Sequence, residues 1–466
     1  MTALTHHELP ASSSIQEAPR YPAQHWLWGS LRTFFADPIT LLSQLPQTYP
    51  DLVQLRFGPL QQYILQNADY ARHVLVNNQK NYQRPARFRA LLDLLGPPSL
   101  FSSEGEYWLR QRRMLQPAFH RQRLVGFGAM MTSAAAQLLA QWDSRTNVSQ
   151  PLSIESAMTD LTLNVVGKAL FSLDMQAQGR GEQLKAAFNG TTHFFNYRFQ
   201  TIFAPPLFVP TQVNRNFKRS RQIVAEQVQA IIDERRRDPG EHHDFLQMLL
   251  ELRYEDTGQG MTDEQLRSEC SAFFFAGHET TANTLTWTFY LLAAHPTVEA
   301  RLHAELAAVL GGRTPTVDDL GQLTYTRMVV EEAMRLYPAA WITSRQAGAA
   351  DQLGPYRLPA GSQVMINITG IHRHPAYWDN PDLFDPERFT PERSAQRPKH
   401  AYLPFGLGPR MCIGNQFAMM EAQLLLATIA QRYQTRLTPG YTPKPYPLFT
   451  LCTADGMPLR VEPRTP

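Results

Sequence analysis

The segment PFGLGPRMCIG, residues 404–414, decides the fold, and it leads directly into the helical pattern NQFAMMEAQLLLATIAQRY at 415–433. Cys412 stands just before the start of this helix. Free N–H groups and the positive end of the helix dipole lower the pKa of a thiol at such a position and donate hydrogen bonds to a thiolate. Gly408 and Gly414 remove side chains where a flat ligand would press on the backbone. The loop therefore has the local chemistry of a metal-bound sulfur.

Two more residues of the loop fit this interpretation, since Arg410 can reach an anionic group and Phe405 can shield the sulfur from water. The alternative is an ordinary buried cysteine in a glycine-rich turn, which is the commoner fate of a single cysteine. The loop by itself leaves both interpretations open, so the rest of the chain has to decide between them.

Composition excludes several classes of protein. The 466 residues carry 44 Lys+Arg against 41 Asp+Glu, a formal net charge of +3, whereas a nucleic-acid-binding protein of this size would show a larger basic excess. A hydrophobic fraction of 43% excludes intrinsic disorder and is enough to bury a large core. The three cysteines, Cys270, Cys412 and Cys452, are too few and too scattered for a disulfide scaffold or a four-thiolate zinc site. A reducing compartment is therefore expected.

The hydrophobic periodicity predicts a mainly α fold with small β-sheets. Strand-like runs stand at 52–58, 61–66 and 357–369, each bounded by glycine or proline. The clearest helix opens at Thr262 with a capping-box spacing and continues until Pro296. Its middle is apolar nearly all round, which predicts a helix inside the protein rather than on its surface.

No Gly/Ser linker, low-complexity tract or internal repeat divides the chain. We therefore expect residues 1–20 to be a flexible N-terminal segment and residues 21–466 to form a single domain. The N-terminus has no apolar run of signal-peptide or membrane-span length, and the most apolar later stretch is interrupted by His278 and Glu279. These patterns predict a cytoplasmic protein with no membrane anchor.

The pattern F-x-x-G-x-R-x-C-x-G is filled by Phe405, Gly408, Arg410, Cys412 and Gly414, and it resembles the haem-binding loop of the cytochrome P-450 monooxygenases. The resemblance is to the soluble, bacterial-type, single-domain members, and further motifs extend it over essentially the whole chain. It implies the cytochrome P-450 fold enclosing one haem b. It also implies that Cys412 is the axial thiolate ligand of the haem iron.

A second motif of this family lies in EEAMRLYP, where Glu332 and Arg335 are three residues apart and so share one helical face. By the resemblance, Arg388 in the later segment PERF joins them in a buried, charge-assisted network on the thiolate side of the haem. This network would hold the loop that presents Cys412. An E-x-x-R spacing alone is more often a solvated ion pair, so the assignment depends on the resemblance.

Trp108 and Arg112 are four residues apart in GEYWLRQRRMLQPAF, so both project from one helical face. An indole N–H and a guanidinium that converge on one point would clamp a haem propionate. Taken alone, the segment is explained more simply by a packed tryptophan and a solvated arginine. The resemblance assigns propionate binding to this pair, and further to Arg345 and Arg410.

The long helix carries AFFFAGHETTAN at 272–283, which is similar to the oxygen-activation segment of the family. Glu279 and Thr280 match its acid–alcohol pair, and the chemistry needs both, because a hydroxyl and a nearby carboxylate together relay protons to O2. Ala276 leaves room for O2 beside the haem. The alternative is that Thr280 bonds back to the carbonyl one turn earlier and that Glu279 pairs elsewhere.

The resemblance also places the substrate pocket along an apolar and aromatic wall, which favours a lipophilic substrate of the fatty-acid or terpenoid kind. The residues assigned to this wall are Leu100, Phe101, Phe273, Ala340, Ile342 and Phe449. The predicted protein is a monomeric monooxygenase that inserts one oxygen atom of O2 into this substrate. Its electrons would come from a separate ferredoxin or flavodoxin with its reductase. A peroxide-driven peroxygenase on the same fold and a non-enzymatic haem sensor stay open as alternatives.

Overall fold

The computed structural model describes residues 15–145, 150–201, 204–238 and 240–464. The α-helices are α1 (Leu31–Ala36), α2 (Pro38–Thr48), α3 (Ala68–Arg72), α4 (Ala86–Leu92), α5 (Gly105–Leu115), α6 (Arg121–Leu124), α7 (Gly128–Asp143), α8 (Ile154–Phe171), α9 (Arg180–Gln200), α10 (Gln212–Arg237), α11 (Phe245–Glu251), α12 (Asp263–Ala294), α13 (Pro296–Leu310), α14 (Thr324–Leu336), α15 (Ile368–Ile371), α16 (Pro391–Ser394) and α17 (Asn415–Arg432). The strands are β1 (Leu52–Phe57), β2 (Leu60–Leu65), β3 (Tyr82–Gln83), β4 (Leu152–Ser153), β5 (Thr343–Ala347), β6 (Asp351–Leu353), β7 (Tyr356–Leu358), β8 (Gln363–Ile366), β9 (Tyr433–Leu437), β10 (Pro445–Pro447), β11 (Leu451–Thr453) and β12 (Pro458–Pro463). The prediction of a mainly α fold with small sheets is confirmed.

The described residues group into two compact units by their contacts. The first unit lies within Met1–Ala86, Trp341–Leu383 and Ala395–Met411, and the second within Arg87–Ala340, Phe384–Ser394 and Cys412–Pro466. The expectation of a single domain over residues 21–466 stays a prediction.

The first unit is built on a five-stranded sheet of order β1-β2-β8-β5-β3. Its pairs are antiparallel except for the parallel pair of β2 and β8. Leu65, Val364 and Ile366 are fully buried at the centre of this sheet. The strands predicted at 52–58 and 61–66 are confirmed as β1 and β2 within a residue at each end.

The strand-like run at 357–369 is only partly a strand, and this corrects the prediction. β7 ends at Leu358, and β8 begins at Gln363 after a turn in which Gly361 has a φ of +82°. That left-handed backbone favours glycine. The rest of the run belongs to α15, because the Asn367 side chain caps its first turn at Gly370 N.

Part of the N-terminal segment predicted to be flexible is hydrogen-bonded. Gln16 N donates to Pro355 O at 2.8 Å, and Tyr21 N donates to Gln54 O at 2.9 Å. Both partners lie in the first unit, so residues 16–21 run alongside its strands. The first fourteen residues lie outside the described part of the chain.

The central element of the second unit is α12. Thr262 and Gln265 close a reciprocal capping box at its start, and the helix ends just before Pro296, so its predicted course is confirmed. Phe274 and Trp287 are fully buried, as expected of a helix that is apolar nearly all round. The hairpin of β10 and β11 bonds to this helix, because Trp287 Nε1 donates to Leu451 O at 3.3 Å.

Within the described ranges, one helical stretch is long and apolar enough to cross a membrane by length and composition. It covers Arg121–Asp143, with a mean hydropathy of 1.2 over its most apolar window. Half of that window is buried in the protein, which is also what a core helix shows.

Candidate active site

Cys412 lies two residues before the N-cap of α17, as the sequence predicts for a thiolate at a helix start. Burial raises the pKa of its thiol, while the Gly414 backbone N–H and the Arg112 charge lower it by less. The expected low pKa is therefore wrong for the protein alone, because desolvation outweighs the helix terminus. Even so, the cysteine keeps accessible surface. A side chain that is desolvated and still accessible faces an internal space rather than bulk water.

The two glycines of the loop differ in what they leave room for. A Cβ on Gly408 would lie 2.2 Å from Leu75 O, and its φ is +74°, so this glycine is required by packing within the first unit. This replaces the predicted reason, which was the approach of a ligand. A Cβ on Gly414 would meet only Phe119 Cε1, at 3.8 Å, among the described atoms. Gly414, which is two residues after Cys412, therefore has open space beside its Cα atom.

The pair predicted to clamp a propionate lies on α5. Trp108 is buried, and Arg112 is half-buried. Burial lowers the pKa of Arg112, and the charge of Cys412 raises it by less, so the guanidinium and the sulfur are within electrostatic range. A desolvated cation near the thiolate loop fits an anionic ligand group at this point.

Three further residues predicted to bind the cofactor lie in the first unit. Phe405 and Arg410 are both half-buried. Arg345 on β5 donates through Nη1 to Thr343 Oγ1 at 3.1 Å and to Ser344 O at 2.8 Å. Their roles toward the cofactor stay predictions.

The structure brings Glu332, Arg335 and Arg388 together. Arg335 holds Glu332 through two bonds, Nε to Oε2 at 2.6 Å and Nη2 to Oε1 at 2.8 Å, and Arg388 Nε lies 3.3 Å from the same carboxylate. Asp385 N also donates to Glu332 Oε1, at 3.0 Å. All three side chains of the network are at most 3% exposed. This is a buried ion network and not a solvated surface pair.

The acid and the alcohol of α12 have separate partners. Thr280 Oγ1 donates to Ala276 O at 2.9 Å, one turn back, which is the alternative that the sequence left open. Glu279 Oε1 accepts a hydrogen bond from the Thr450 hydroxyl at 2.6 Å. Sequence reasoning missed Thr450, because nothing in the local pattern around it points to a residue so distant in the chain. Ala276 is exposed although Phe274 and Phe275 before it are buried, so open space borders this part of the helix.

An aromatic wall forms around Phe449, as the sequence predicts for the pocket. The ring of Phe449 lies 6.1 Å from that of Phe101 and 5.5 Å from that of Phe275. Phe88 and Phe199 approach it from two other helices, at 6.2 and 6.3 Å. Phe275 is buried and the other four rings are half-buried, so they retain apolar surface for a ligand.

The ring of Phe273 packs at 5.4 Å on Phe119, whereas Phe275 contacts Phe449, because residues two apart on a helix point to different sides. The assignment of Phe273 to the pocket stays a prediction. Leu100 is buried, and its N–H donates to both oxygens of Glu269, at 2.9 and 3.1 Å. Burial raises the pKa of Glu269 to about 8.

Ala340 is the last residue of the segment Arg87–Ala340, which belongs to the second unit, and it is exposed. Ile342 belongs to the first unit and is half-buried. Among the described residues, neither side chain takes part in the ring contacts or hydrogen bonds of Phe449. Their assignment to the pocket stays a prediction.

Known proteins of the same kind match nearly the whole chain. Residues 19–455 fit the family model described as "Cytochrome P450". Cyclooctat-9-en-7-ol 5-monooxygenase of Streptomyces melanosporofaciens is 35% identical over 423 residues, which cover 89% of each chain. Pentalenene oxygenase of Streptomyces avermitilis is 31% identical, over 92% of this chain and 94% of its own. The crystal structure of the cytochrome P450DA haem domain superposes with a TM-score of 0.87 at 29% identity, over 97% of this chain and 99% of that one.

The chain belongs to the cytochrome P450 family, and it is a haem-thiolate monooxygenase. Its cofactor is haem b, and it uses an organic substrate, O2 and electrons from a redox partner. The residues present fit this cofactor. Cys412 is a desolvated thiol with open surface, Gly414 leaves space beside it, and Arg112 is a desolvated cation within its electrostatic range.

Proposed function

We propose that this enzyme hydroxylates a terpenoid or fatty-acid substrate that binds against the aromatic wall of Phe88, Phe101, Phe199, Phe275 and Phe449. The observation that carries the proposal is the chemistry of this wall, where four rings gather around Phe449 and four of the five rings stay only half-buried. Such a surface binds hydrocarbon by desolvation, at about 25 cal/mol per Å² of apolar area. Two similar enzymes are named for cyclooctat-9-en-7-ol and pentalenene, and this favours a terpenoid.

Haem b would be held by the residues that the sequence resemblance assigns to it. Cys412 would bind the haem iron as thiolate, and Trp108, Arg112, Arg345 and Arg410 would bind the propionates. Phe405 shields the sulfur, and Glu332, Arg335 and Arg388 support the loop as a buried network. When bound, the haem activates O2, and the thiolate donates electron density that favours O–O cleavage.

The protein's own residues supply protons and exclude water. Glu279 on α12 relays protons, and Thr280 passes them toward the oxygen. The aromatic wall keeps bulk water away from the reacting carbon, so protons arrive through these two residues. Ala276 leaves the space in which O2 lies.

The electron donor is a separate ferredoxin or flavodoxin with its reductase, and the enzyme is a cytoplasmic monomer. The small number of cysteines supports a reducing compartment. Arg113, Arg121 and Arg123 follow Trp108 and Arg112 along the chain, and all three are exposed. Their positive charge would attract an acidic donor.

The test is a titration of the purified ferric holoenzyme with sesquiterpenes, diterpenes and saturated fatty acids, read as the change in spin state when a substrate displaces water from the iron. We expect one of these classes to give a saturable change, and Phe449→Ala to weaken its binding about tenfold, as loss of a buried aromatic contact does. Phe208→Ala is the matched control, since Phe208 is 81% exposed. No spin-state change with any of the three classes would overturn the proposed substrate.

A further inference from the structure

Three residues on one face of α12 bond to β11 or to the residue just before it. Glu279, Asn283 and Trp287 follow one another at intervals of four, so they line up along the helix. Glu279 and Asn283 both bond to the Thr450 hydroxyl, and Trp287 bonds to the Leu451 carbonyl. The hairpin therefore runs along the face of α12 that carries the Glu279 carboxylate.

The Thr450 hydroxyl has a fixed donor direction. Asn283 Nδ2 donates to its oxygen at 3.0 Å, and the hydroxyl donates its single proton to Glu279 Oε1 at 2.6 Å. The Cys452 thiol is a second donor to the same oxygen, at 3.5 Å. Thr450, Asn283 and Cys452 are all buried, so water does not readily replace these bonds. One oxygen of the Glu279 carboxylate is thereby held on the hairpin.

The other oxygen of this carboxylate is left available. Glu279 Oε2 makes no hydrogen bond to any residue that the structure describes. Thr280 is the next residue along the helix, and consecutive helical residues do not face each other. A carboxylate that bonded through either oxygen at random would leave Oε2 unbonded only part of the time. A fixed Oε1 removes this rotational freedom.

We propose that Thr450 is a positioning residue for proton delivery, whose hydroxyl fixes Oε1 of Glu279 and leaves Oε2 as the oxygen that passes the proton toward Thr280. The inference rests on the proton-relay role of Glu279 in the proposed function. It extends the oxygen-activation site from α12 to the hairpin of β10 and β11.

The test compares two substitutions of Thr450 in the holoenzyme. Thr450→Val keeps the branched shape without the donor, and Thr450→Ser keeps the donor without the methyl group. With a ferredoxin–reductase system and pentalenene and dodecanoic acid as probe substrates, we expect Thr450→Val to lower product formed per reductant consumed several-fold and to raise the solvent isotope effect. Thr450→Ser restores both. Thr453→Val, three residues further along in β11, is the matched control, because the Thr453 hydroxyl binds Glu155 instead.

A second readout needs no turnover. The Glu279 carboxylate band is assigned in infrared spectra of the ferric holoenzyme by its loss in Glu279→Gln, and we expect Thr450→Val, but not Thr450→Ser, to shift it. An unshifted band in Thr450→Val, or equal loss of coupling in the valine and serine variants, would overturn the role of Thr450. If Glu279→Gln itself keeps the wild-type coupling, the relay in the proposed function is wrong, and the infrared band still decides whether Thr450 holds the carboxylate.

Discussion

Two opposing effects act on the pKa of Cys412, the residue that we propose as the haem thiolate. Burial raises the pKa of its thiol, and the Gly414 N–H and the Arg112 charge lower it by less. A bound metal ion deprotonates a thiol outright, after which these two groups stabilise the thiolate. Burial therefore favours the neutral thiol, and binding of a metal would convert it to the thiolate.

At the residue scale, we predict that Cys412→Ser removes the thiolate ligand and abolishes monooxygenase activity, because a serine oxygen is a poor electronic substitute for the sulfur. The measurement is the Soret band of the reduced protein under carbon monoxide, which is strongly red-shifted only with thiolate ligation. Cys270→Ala is the control, since Cys270 is a buried cysteine within α12. A red-shifted band in Cys412→Ser would show that another residue binds the iron.

At the scale of elements, the end of α14 is fixed by charges that have no access to water. We predict that Arg335→Ala costs about 3–5 kcal/mol of unfolding free energy, because it leaves the Glu332 carboxylate buried beside only one cation. The expected result is largely haem-free or aggregated protein, measured as haem per chain and as the urea midpoint. Arg327→Ala on the same helix removes a half-buried (i, i+4) pair with Glu331, and such helical pairs are worth only about 0.3–0.5 kcal/mol. Equal stabilities of the two variants would contradict the buried network.

The packing of α17 in the core predicts a pH dependence. Burial raises the pKa of Glu421 from its ordinary 4.5 to about 8, against a smaller lowering by the Thr281 hydroxyl. Between these two values the folded state binds more protons than the unfolded state, so the unfolding free energy falls as pH rises from about 4.5 to 8. Glu421→Gln stays neutral, and we predict that its stability relative to wild type increases over this window.

Urea unfolding of the holoenzyme across this pH range checks the prediction. Glu226→Gln is the control, because Glu226 is exposed on α10 and its replacement should leave the pH dependence of wild type unchanged. Parallel stability curves for wild type and Glu421→Gln would show that the carboxyl is ionised in the folded protein.

At the scale of the whole molecule, the charge pattern around α5 determines how a donor approaches. Arg110 forms an ion pair with Asp256 at 3.0 Å and stacks on Tyr254, so it contributes less positive potential than the sequence predicts. Arg113 is exposed, and it follows Arg112, which lies within electrostatic range of Cys412. We predict that Arg113→Glu slows reduction by an acidic ferredoxin and weakens the salt dependence of that rate, while substrate affinity stays unchanged.

Stopped-flow reduction across a salt titration measures this effect, since exposed charges are screened over a Debye length of about 8 Å at physiological salt. Arg219→Glu makes the same change of net charge on α10 and serves as the control. Identical rates for wild type and Arg113→Glu at every salt concentration would place the docking surface elsewhere.

The sequence by itself determined the features that depend on neighbours along the chain. The capping box that opens α12, the helix start after Cys412 and the shared face of Glu332 and Arg335 follow from spacings of a few residues. Motif order along the chain was enough for the family. These properties are local or additive, so they need no knowledge of distant contacts.

Only the tertiary structure decided the features that join distant segments. Thr450 meets Glu279, Phe275 rather than Phe273 meets Phe449, and the need for glycine at position 408 comes from Leu75 O. Desolvation also reversed the direction expected for the pKa of Cys412. Such contacts depend on how helices rotate and pack, and burial depends on every neighbour at once, so no spacing along the sequence specifies them.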